Sequence, residues 1–258
     1  MNPRLKSLLR PIVLWVLNLK FETRKIPVLR FFPRFLRERK EWINQGGEIT
    51  RNWMILSDYA DSAGTAKGHY FHQDLLVARL IHEHNPSRHV DIASRIDGFV
   101  AHVASFRVIE VVDVRPLEKS EHQNIKFVQA DLMNPQDLGK TDSLSCLHAI
   151  EHFGLGRYTD PIDVDGHNKG ITNLVDLVSQ GGRLYISFPI GRSEEIHFNA
   201  HRVFKAESIL KHPSIEAFMQ LIQFDYVDDR GHLHTGVSVE EVDEELRFGC
   251  GIYTFMRI

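Results

Sequence analysis

The chain has 258 residues, 43% of them hydrophobic and 25% charged, which is enough for one α/β domain with a full core plus an extra segment. Such ordinary globular values exclude a collagenous, coiled-coil or wholly disordered protein. The net charge of −3 hides an asymmetry: residues 1–41 carry 11 Lys and Arg against 3 Asp and Glu, and the remainder carries 20 against 31. A basic arm on an acidic body suits an anionic partner. Only two cysteines are present, too few for a disulfide scaffold or a cysteine-based zinc cage, and a reducing compartment is the simpler expectation.

Residues 1–45 read as a basic amphipathic helical arm. Leu5, Leu8, Leu9, Ile12, Trp15 and Leu19 recur at three- and four-residue spacings, and Arg4, Lys6, Arg10 and Lys20 bracket the apolar run 11–19. Phe31, Phe32 and Phe35 follow among Arg30, Arg34 and Arg37. The apolar run is too short to span about 30 Å of hydrocarbon. A helix lying in an anionic headgroup layer needs this composition. The plainer reading is an arm packed on the body or on a partner subunit. No small-x-small cleavage site follows Leu19, which argues against a signal peptide. No nucleic-acid motif is present, so no nucleic-acid partner is expected. The expected location is the cytoplasm, with residues 1–41 on the inner face of the membrane.

Residues 46–70, rich in Gly, Ser, Asp and Thr, read as a linker, and 71–258 as the main domain. Phe71, Leu75, Leu76 and Leu80 predict a helix ending near His84, where Asn85-Pro86 breaks it. Short apolar strands are predicted at 89–93, 108–114, 125–130, 144–149 and 184–188. Helical faces fall between them, at Phe99, Val103 and Phe106 and at Ile171, Leu174, Val175 and Val178, the second stopped by Gly181-Gly182. Two more strands, 221–227 and 251–258, enclose an acidic excursion. The outline is an α/β, doubly wound, mostly parallel seven-stranded sheet finished by an antiparallel hairpin.

A ligand of such a sheet lies at the carboxyl ends of its strands. The first strand ends in Asp91 and runs through Ala93 and Ser94 to Gly98; the second ends at Asp113 and the third at Asp131-Leu132. Asp91 and Asp113 are 22 positions apart, close to the step of about 20 between a nucleotide turn and its ribose-binding acid. Asp113 can accept from ribose hydroxyls, and Asp131 from an adenine amino group while Leu132 packs the ring. The plainer reading of each acid is helix capping.

These strand-end acids resemble those of class I S-adenosylmethionine-dependent methyltransferases, a Rossmann-like fold, over roughly residues 70–258. Three segments resemble more closely a domain family of unknown function, found in bacteria and nematodes and associated with surface-glycan biosynthesis. They are Gly68-His69-Tyr70-Phe71-His72-Gln73-Asp74, Ser94-Arg95-Ile96-Asp97-Gly98-Phe99, and 147–158, which begins Leu147-His148-Ala149-Ile150-Glu151-His152. The resemblance implies S-adenosylmethionine as cofactor, held by Asp91, Ala93, Ser94, Gly98, Asp113, Asp131, Leu132 and His148. The sequence departs from the methyltransferase glycine loop, with Ala93, Arg95 and Asp97 at the glycine places and Gly98 one step late. Arg95 and Asp97 must then point away or pair with each other.

His148, Glu151 and His152 spell an inverted zinc-protease motif. That chemistry needs both histidines on one helix face, whereas 143–149 reads as a strand and no third ligand follows, so no metal is expected. In the methyltransferase reading His152, His148 and His197, in that order, are the candidate bases, with Glu151 fixing an imidazole tautomer. The loops after the fourth and fifth strands carry Tyr158, Asp160, Asp163, His167, His201 and Arg202, a set suited to a sugar or anionic acceptor. Cys146 and Cys250 should be core thiols separated by the fifth strand.

The function expected is O-methylation of a sugar or glycan precursor near a membrane. The alternatives are a catalytically degenerate methyltransferase-like scaffold in glycan assembly and a zinc hydrolase using His148 and His152. The oligomeric state is left open.

Overall fold

The computed structural model describes residues 28–258. The apolar run 11–19 and the bases around it lie outside the described residues. The chain divides into two units, residues 1–65 and 66–258.

In the first unit, helix α1 (Phe32–Asn44) starts with Pro33 in its first turn, where a missing N–H costs nothing, and buries none of its residues. Arg34 pairs with Glu38 one turn on at 2.7 Å and lies over the ring of Tyr59, 4.3 Å from its centroid. The Tyr59 hydroxyl donates to Glu38, and Arg39 donates to Asn52 Oδ1 at 2.8 Å. The segment predicted as a linker therefore folds back on α1. Leu36, Trp42, Ile43, Trp53 and Ile55 remain exposed. No helix among the described residues is long and apolar enough to cross a membrane.

The second unit is built on an eight-stranded sheet. Its strands are β1 (His89–Ile92), β2 (Ile109–Asp113), β3 (Ile125–Gln129), β4 (Thr141–Leu147), β5 (Val178–Ile190), β8 (Met219–Val227), β9 (Leu233–His234) and β10 (Gly249–Arg257). A separate hairpin pairs β6 (Glu195–His197) with β7 (His201–Val203). The sheet order is β3-β2-β1-β4-β5-β10-β8-β9. The first five strands are mutually parallel, and β10 runs antiparallel between β5 and β8. The predicted seven strands are all present. The eighth, β9, is two residues of the acidic excursion paired to β8.

Helices cover both faces, as a parallel sheet requires. Helix α2 (His69–His84) enters from Gly68 and ends at Asn85 in the left-handed conformation, just before Pro86. Helix α3 (Ala101–Ala104) continues a π-turn over Ile96–Val100. Their Leu76, Val77, Ile81, Phe99 and Val103 pack on Ile109, Val111 and Ile252 of the sheet. On the other face α4 (Gly166–Leu177) and α5 (Pro213–Phe218) set Ile171, Leu174, Val175 and Ile215 against Leu144, Leu184, Ile186 and Phe224. The Gly181-Gly182 pair does not stop α4, which ends at Leu177; it lies inside β5, where the pairing with β4 shifts register. Cys146 and Cys250 are buried in different core clusters, with β5 between their strands.

One strip of the α2 face is polar. His89 Nδ1 meets Ser143 Oγ at 2.8 Å, and its Nε2 meets Ser145 Oγ at 3.2 Å. Ser145 Oγ donates to Asp91 Oδ1 at 2.5 Å, so it must accept from His89 Nε2–H, and Ser143 donates to Nδ1. Ser94 completes the strip: its N–H and hydroxyl both donate to the Asp91 carboxylate, at 3.0 and 2.7 Å.

Candidate functional site

Beside the carboxyl ends of β1 and β4, where the winding of the sheet reverses, lies a cavity of about 340 Å³. Such switch points are where open α/β sheets bind ligands. One half of it is apolar with two carboxylates: Ile92, Ala93, Val112, Asp113, Asp131, Leu132 and Met133 line it. The other half is built of rings and charges, from His69, Tyr70, Arg95, His148, Glu151, His152, Arg157, Tyr158, Asp160, His201 and Phe248.

Asp113 comes from the tip of β2 and Asp131 from just beyond β3. Both oxygens of Asp113 are engaged by Arg115, whose backbone N–H and Nε reach Oδ1 at 2.8 and 3.0 Å and whose Nη2 reaches Oδ2 at 2.6 Å. The Arg115 guanidinium also lies over the Tyr158 ring, 4.4 Å from its centroid. Asp131 accepts from Met133 N–H at 2.9 Å and from Asn134 Nδ2 at 3.0 Å, which shapes the turn that presents Leu132 to the cavity.

Not all of the residues predicted to hold a cofactor reach the cavity. Asp91 is fully buried beneath it, taken up by Ser94 and Ser145; burial pushes its carboxyl up to about 6 against those hydrogen bonds. Ser94 accepts from Leu147 N–H at 3.2 Å and ties the β1 loop to β4. Gly98 is spent on packing, since a Cβ there would sit 2.6 Å from Asp74 Oδ2 on α2. Ala93 does line the cavity, with a positive φ of 59° where glycine is the cheaper residue. Arg95 and Asp97 pair at 3.3 Å. Arg95 lies over the Tyr70 ring at the cavity wall, 4.8 Å from its centroid, and does not fill the cavity.

The His-x-x-Glu-His segment occupies no regular α-helix. His148 follows β4 with a φ of 49°, and Ile150–His152 form a single 3₁₀ turn. Glu151 is buried between the two imidazoles, with Oε1 at 2.9 Å from His148 Nδ1 and 3.6 Å from His152 Nε2. Burial opposes charge on His148, but Cys250 and the Glu151 carboxylate beside it push the imidazole well above the ordinary histidine range. Burial holds His152 below that range, with Glu151 opposing. Its Nδ1 donates to the Ala200 carbonyl at 2.6 Å, which leaves Nε2 as the basic nitrogen. His69 is pushed down to about 4, by burial first and then by His148.

Of the predicted substrate residues, Tyr158, Asp160 and His201 line the cavity. Asp160 also accepts from the N–H groups of Gly154, Gly156 and Tyr158, at 2.9, 3.2 and 3.0 Å, and so shapes its own loop. Four other predicted residues lie outside the cavity. His197 is exposed on the β6–β7 hairpin and pairs with Glu195 at 2.8 Å. Asp163 pairs with Lys169 at 2.5 Å. His167 packs against Phe204 in a separate pocket. Arg202 is buried and braces the 3₁₀ turn by donating to the Phe153 carbonyl at 2.7 Å.

Sequence reasoning did not assign His69, Tyr70, Arg115, Arg157 or Phe248 to the site. The first two belong to the quoted Gly68–Asp74 segment, which was the available signal. Nothing local marks Phe248, which the β8–β10 excursion brings from far along the chain.

A family model described as "Caenorhabditis protein of unknown function, DUF268" matches residues 102–229. The match takes in β2 to β8 and the 147–158 segment. No curated protein matches the chain. Among solved structures the chain is similar to the [4+2]-cyclase SpnF, at 15% identity over 71% of this chain and 80% of that one, with a TM-score of 0.51. An S-adenosylmethionine-dependent methyltransferase from Clostridium acetobutylicum is 14% identical over 78% of this chain and 94% of that one, with a TM-score of 0.49. The N-methyltransferase NodS from Bradyrhizobium japonicum, in complex with S-adenosylhomocysteine, is 12% identical over 74% of this chain and 88% of that one, with a TM-score of 0.47. Strand order and direction define the class: the second unit has the class I methyltransferase-like, Rossmann-like fold.

Proposed function

We propose that the chain is an S-adenosylmethionine-dependent methyltransferase that methylates an oxygen of a sugar or glycan precursor. One observation carries the reading: Asp113 and Asp131, from adjacent strand tips, line one nucleoside-sized cavity at the switch point of the sheet. The residues fit the cofactor. Asp113 would take the ribose hydroxyls once Arg115 turns away, Asp131 an exocyclic amine, and Leu132 with Met133 a flat ring. The cofactor supplies an electrophilic methyl group. The protein's part is to align the acceptor and remove its proton. His152 Nε2 is the first candidate base. His148, held by Glu151, faces the same space and positions the acceptor. Tyr158, Arg157 and His201 supply the mixed aromatic and cationic wall that a sugar or anionic acceptor needs.

Calorimetry of the full chain with S-adenosylhomocysteine tests this reading. Binding that Asp113→Ala removes supports it, and no binding at millimolar ligand in a folded protein overturns it.

The departure of the loop at Ala93, Arg95 and Asp97 and the closed Arg115–Asp113 pair favour a second reading, a methyltransferase-like scaffold that catalyses nothing. Full cellular function of an Asp113→Ala protein would select it. The zinc-hydrolase reading loses its basis in geometry, because a strand end and a single 3₁₀ turn replace the helix that its motif requires.

Membrane association through residues 1–41 remains part of the proposal. Exposed Leu36, Trp42 and Ile43 on a helix rich in arginine support it. Flotation with anionic but not neutral vesicles is the expected result.

A further inference from the structure

Three side chains from distant parts of the chain meet at the ring-lined end of the cavity. His69 opens α2, His148 follows β4, and Cys250 lies in β10; one ring nitrogen of each histidine and Cys250 Sγ all lie within 4.8 Å of one another. Among the described residues this is the one cluster of its kind. His148 Nδ1 is held by Glu151 Oε1 at 2.9 Å. Its Nε2 is buried on a side chain only 6% exposed, makes no well-formed hydrogen bond among the described residues, and has the Cys250 thiol as its polar neighbour. A buried ring nitrogen without a well-formed hydrogen bond is costly and calls for an explanation. A carboxylate on one nitrogen of an imidazole is also how proteins orient a histidine whose other nitrogen binds metal. We propose that His69, His148 and Cys250 form a zinc site in the wall of the cavity.

The donor set selects the ion. Two imidazoles and a thiolate suit Zn²⁺, whereas calcium and magnesium require oxygen ligands. Three protein ligands leave a fourth position. His69 and His148 both line the cavity, and in the proposed site that position lies on the cavity side. It takes a water or the oxygen or sulfur of an acceptor, whose proton the ion makes easier to lose.

Zinc–nitrogen bonds of about 2.0 Å and zinc–sulfur bonds of about 2.3 Å require the three ligand atoms to close by about 1 Å. The His69 and His148 rings are stacked, 8° from parallel with centroids 5.3 Å apart. Lone pairs lie in the ring planes, so one ring turns about its Cβ–Cγ bond as the ion enters. Both the Cys250 thiol proton and the Nε2 proton of His148, whose imidazole is held above the ordinary range, leave to solvent as the ion binds, and Cys250 loses a weak 3.6 Å contact to Gln73 Oε1. Of the His-x-x-Glu-His motif only His148 is a ligand: Glu151 orients it, and His152 is tied to Ala200.

The site stands whether or not the cavity holds a methyl donor. The full chain, stripped with a chelator, is titrated with Zn²⁺ and separately with Co²⁺. One ion per chain and a thiolate-to-cobalt charge-transfer band are expected. Cys250→Ser should abolish the band and weaken zinc binding at least about 100-fold, while His232→Ala, at an exposed histidine, leaves both unchanged. Absence of the band in the parent protein, which needs no variant to fold, overturns the proposal. So does zinc bound as tightly by Cys250→Ser as by the parent. Retention of S-adenosylhomocysteine by Cys250→Ser would separate this site from the methyltransferase reading.

Discussion

Arg115 holds both carboxylate oxygens of Asp113, two residues before it, in a bidentate pair that also uses its own backbone N–H. The guanidinium thus stands where a ribose would approach. The side chain of Asp113 is 11% exposed and that of Arg115 46%, so the arginine is the partner free to leave. Two hydrogen bonds from ribose hydroxyls to a charged group are worth about 1.5–3 kcal/mol each. Asp113→Ala should therefore weaken S-adenosylhomocysteine binding by at least about 100-fold. Arg115→Ala removes a competitor and should bind as tightly as the parent or tighter. Calorimetry on the two variants distinguishes a competitor from a required ligand: a loss in Arg115→Ala equal to that in Asp113→Ala would mean that the pair works as a unit.

His152 is the base candidate with the clearest tautomer. Removing a positioned base costs typically 10²- to 10⁴-fold in rate. Once an acceptor is in hand, His152→Ala should lower kcat by about that factor and leave cofactor affinity near that of the parent. A parallel fall in cofactor affinity would assign His152 to binding.

Ala93 occupies a left-handed backbone conformation that costs a residue with a Cβ roughly 1–2 kcal/mol. Ala93→Gly should raise stability by up to about 1 kcal/mol, read as a higher thermal midpoint, and leave the fold unchanged.

Gly98 behaves oppositely. Its Cβ would meet Asp74 Oδ2 at 2.6 Å, and Asp74 is buried on the inner side of α2. Gly98→Ala should destabilise by about 1–3 kcal/mol. Shortening Asp74 to Ala in the same chain should recover part of the loss, because the two positions touch. Additive losses would show that the contact is not the cause.

Burial pushes the His89 imidazole down to about 3, from an ordinary 6.5, so the folded protein keeps it neutral while the unfolded chain protonates it. Between those two values the unfolded state binds more protons. Stability is therefore full above pH 6.5 and lost as the pH falls toward 3. The limiting slope for one group is about 1.4 kcal/mol per pH unit. Asp91 has the opposite sign: its carboxyl, raised to about 6, keeps a proton in the folded state and offsets part of that loss between about 4 and 6. His89→Gln, which keeps a donor and an acceptor for the two serines, should flatten the acid limb in denaturation at about pH 7.5, 6 and 4.5, the first above that titration window and the other two inside it.

Strands were legible because buried parallel strands read as short unbroken apolar runs. Val90, Val111 and Leu144 lie in such runs, and the predicted edges fall within a few residues of the observed ones. The start of β5 was not legible. Val178 continues the helical spacing of Ile171 and Leu174, and only pairing with Thr141 makes it a strand. Asp91 and Asp113 look alike in sequence, each closing a strand before a loop. What separates them is the serine at position 145, fifty-four residues after Asp91, which draws the first acid inward. Gly98 likewise resembles a ligand-loop glycine until α2 places Asp74 against it. Cys250 carries no local signal at all: its closeness to His69 and His148 is a product of sheet order.

That order has a temporal side. The slot between β5 and β8 is filled by β10, which follows both in the chain and so leaves the ribosome after them. Until residues 249–257 have been made, two long strands present open edges, a hazard for intermolecular pairing. The nascent protein therefore depends on quick capture of β10, or on a chaperone that shields the gap, and loss of those nine residues would leave a sheet split in two.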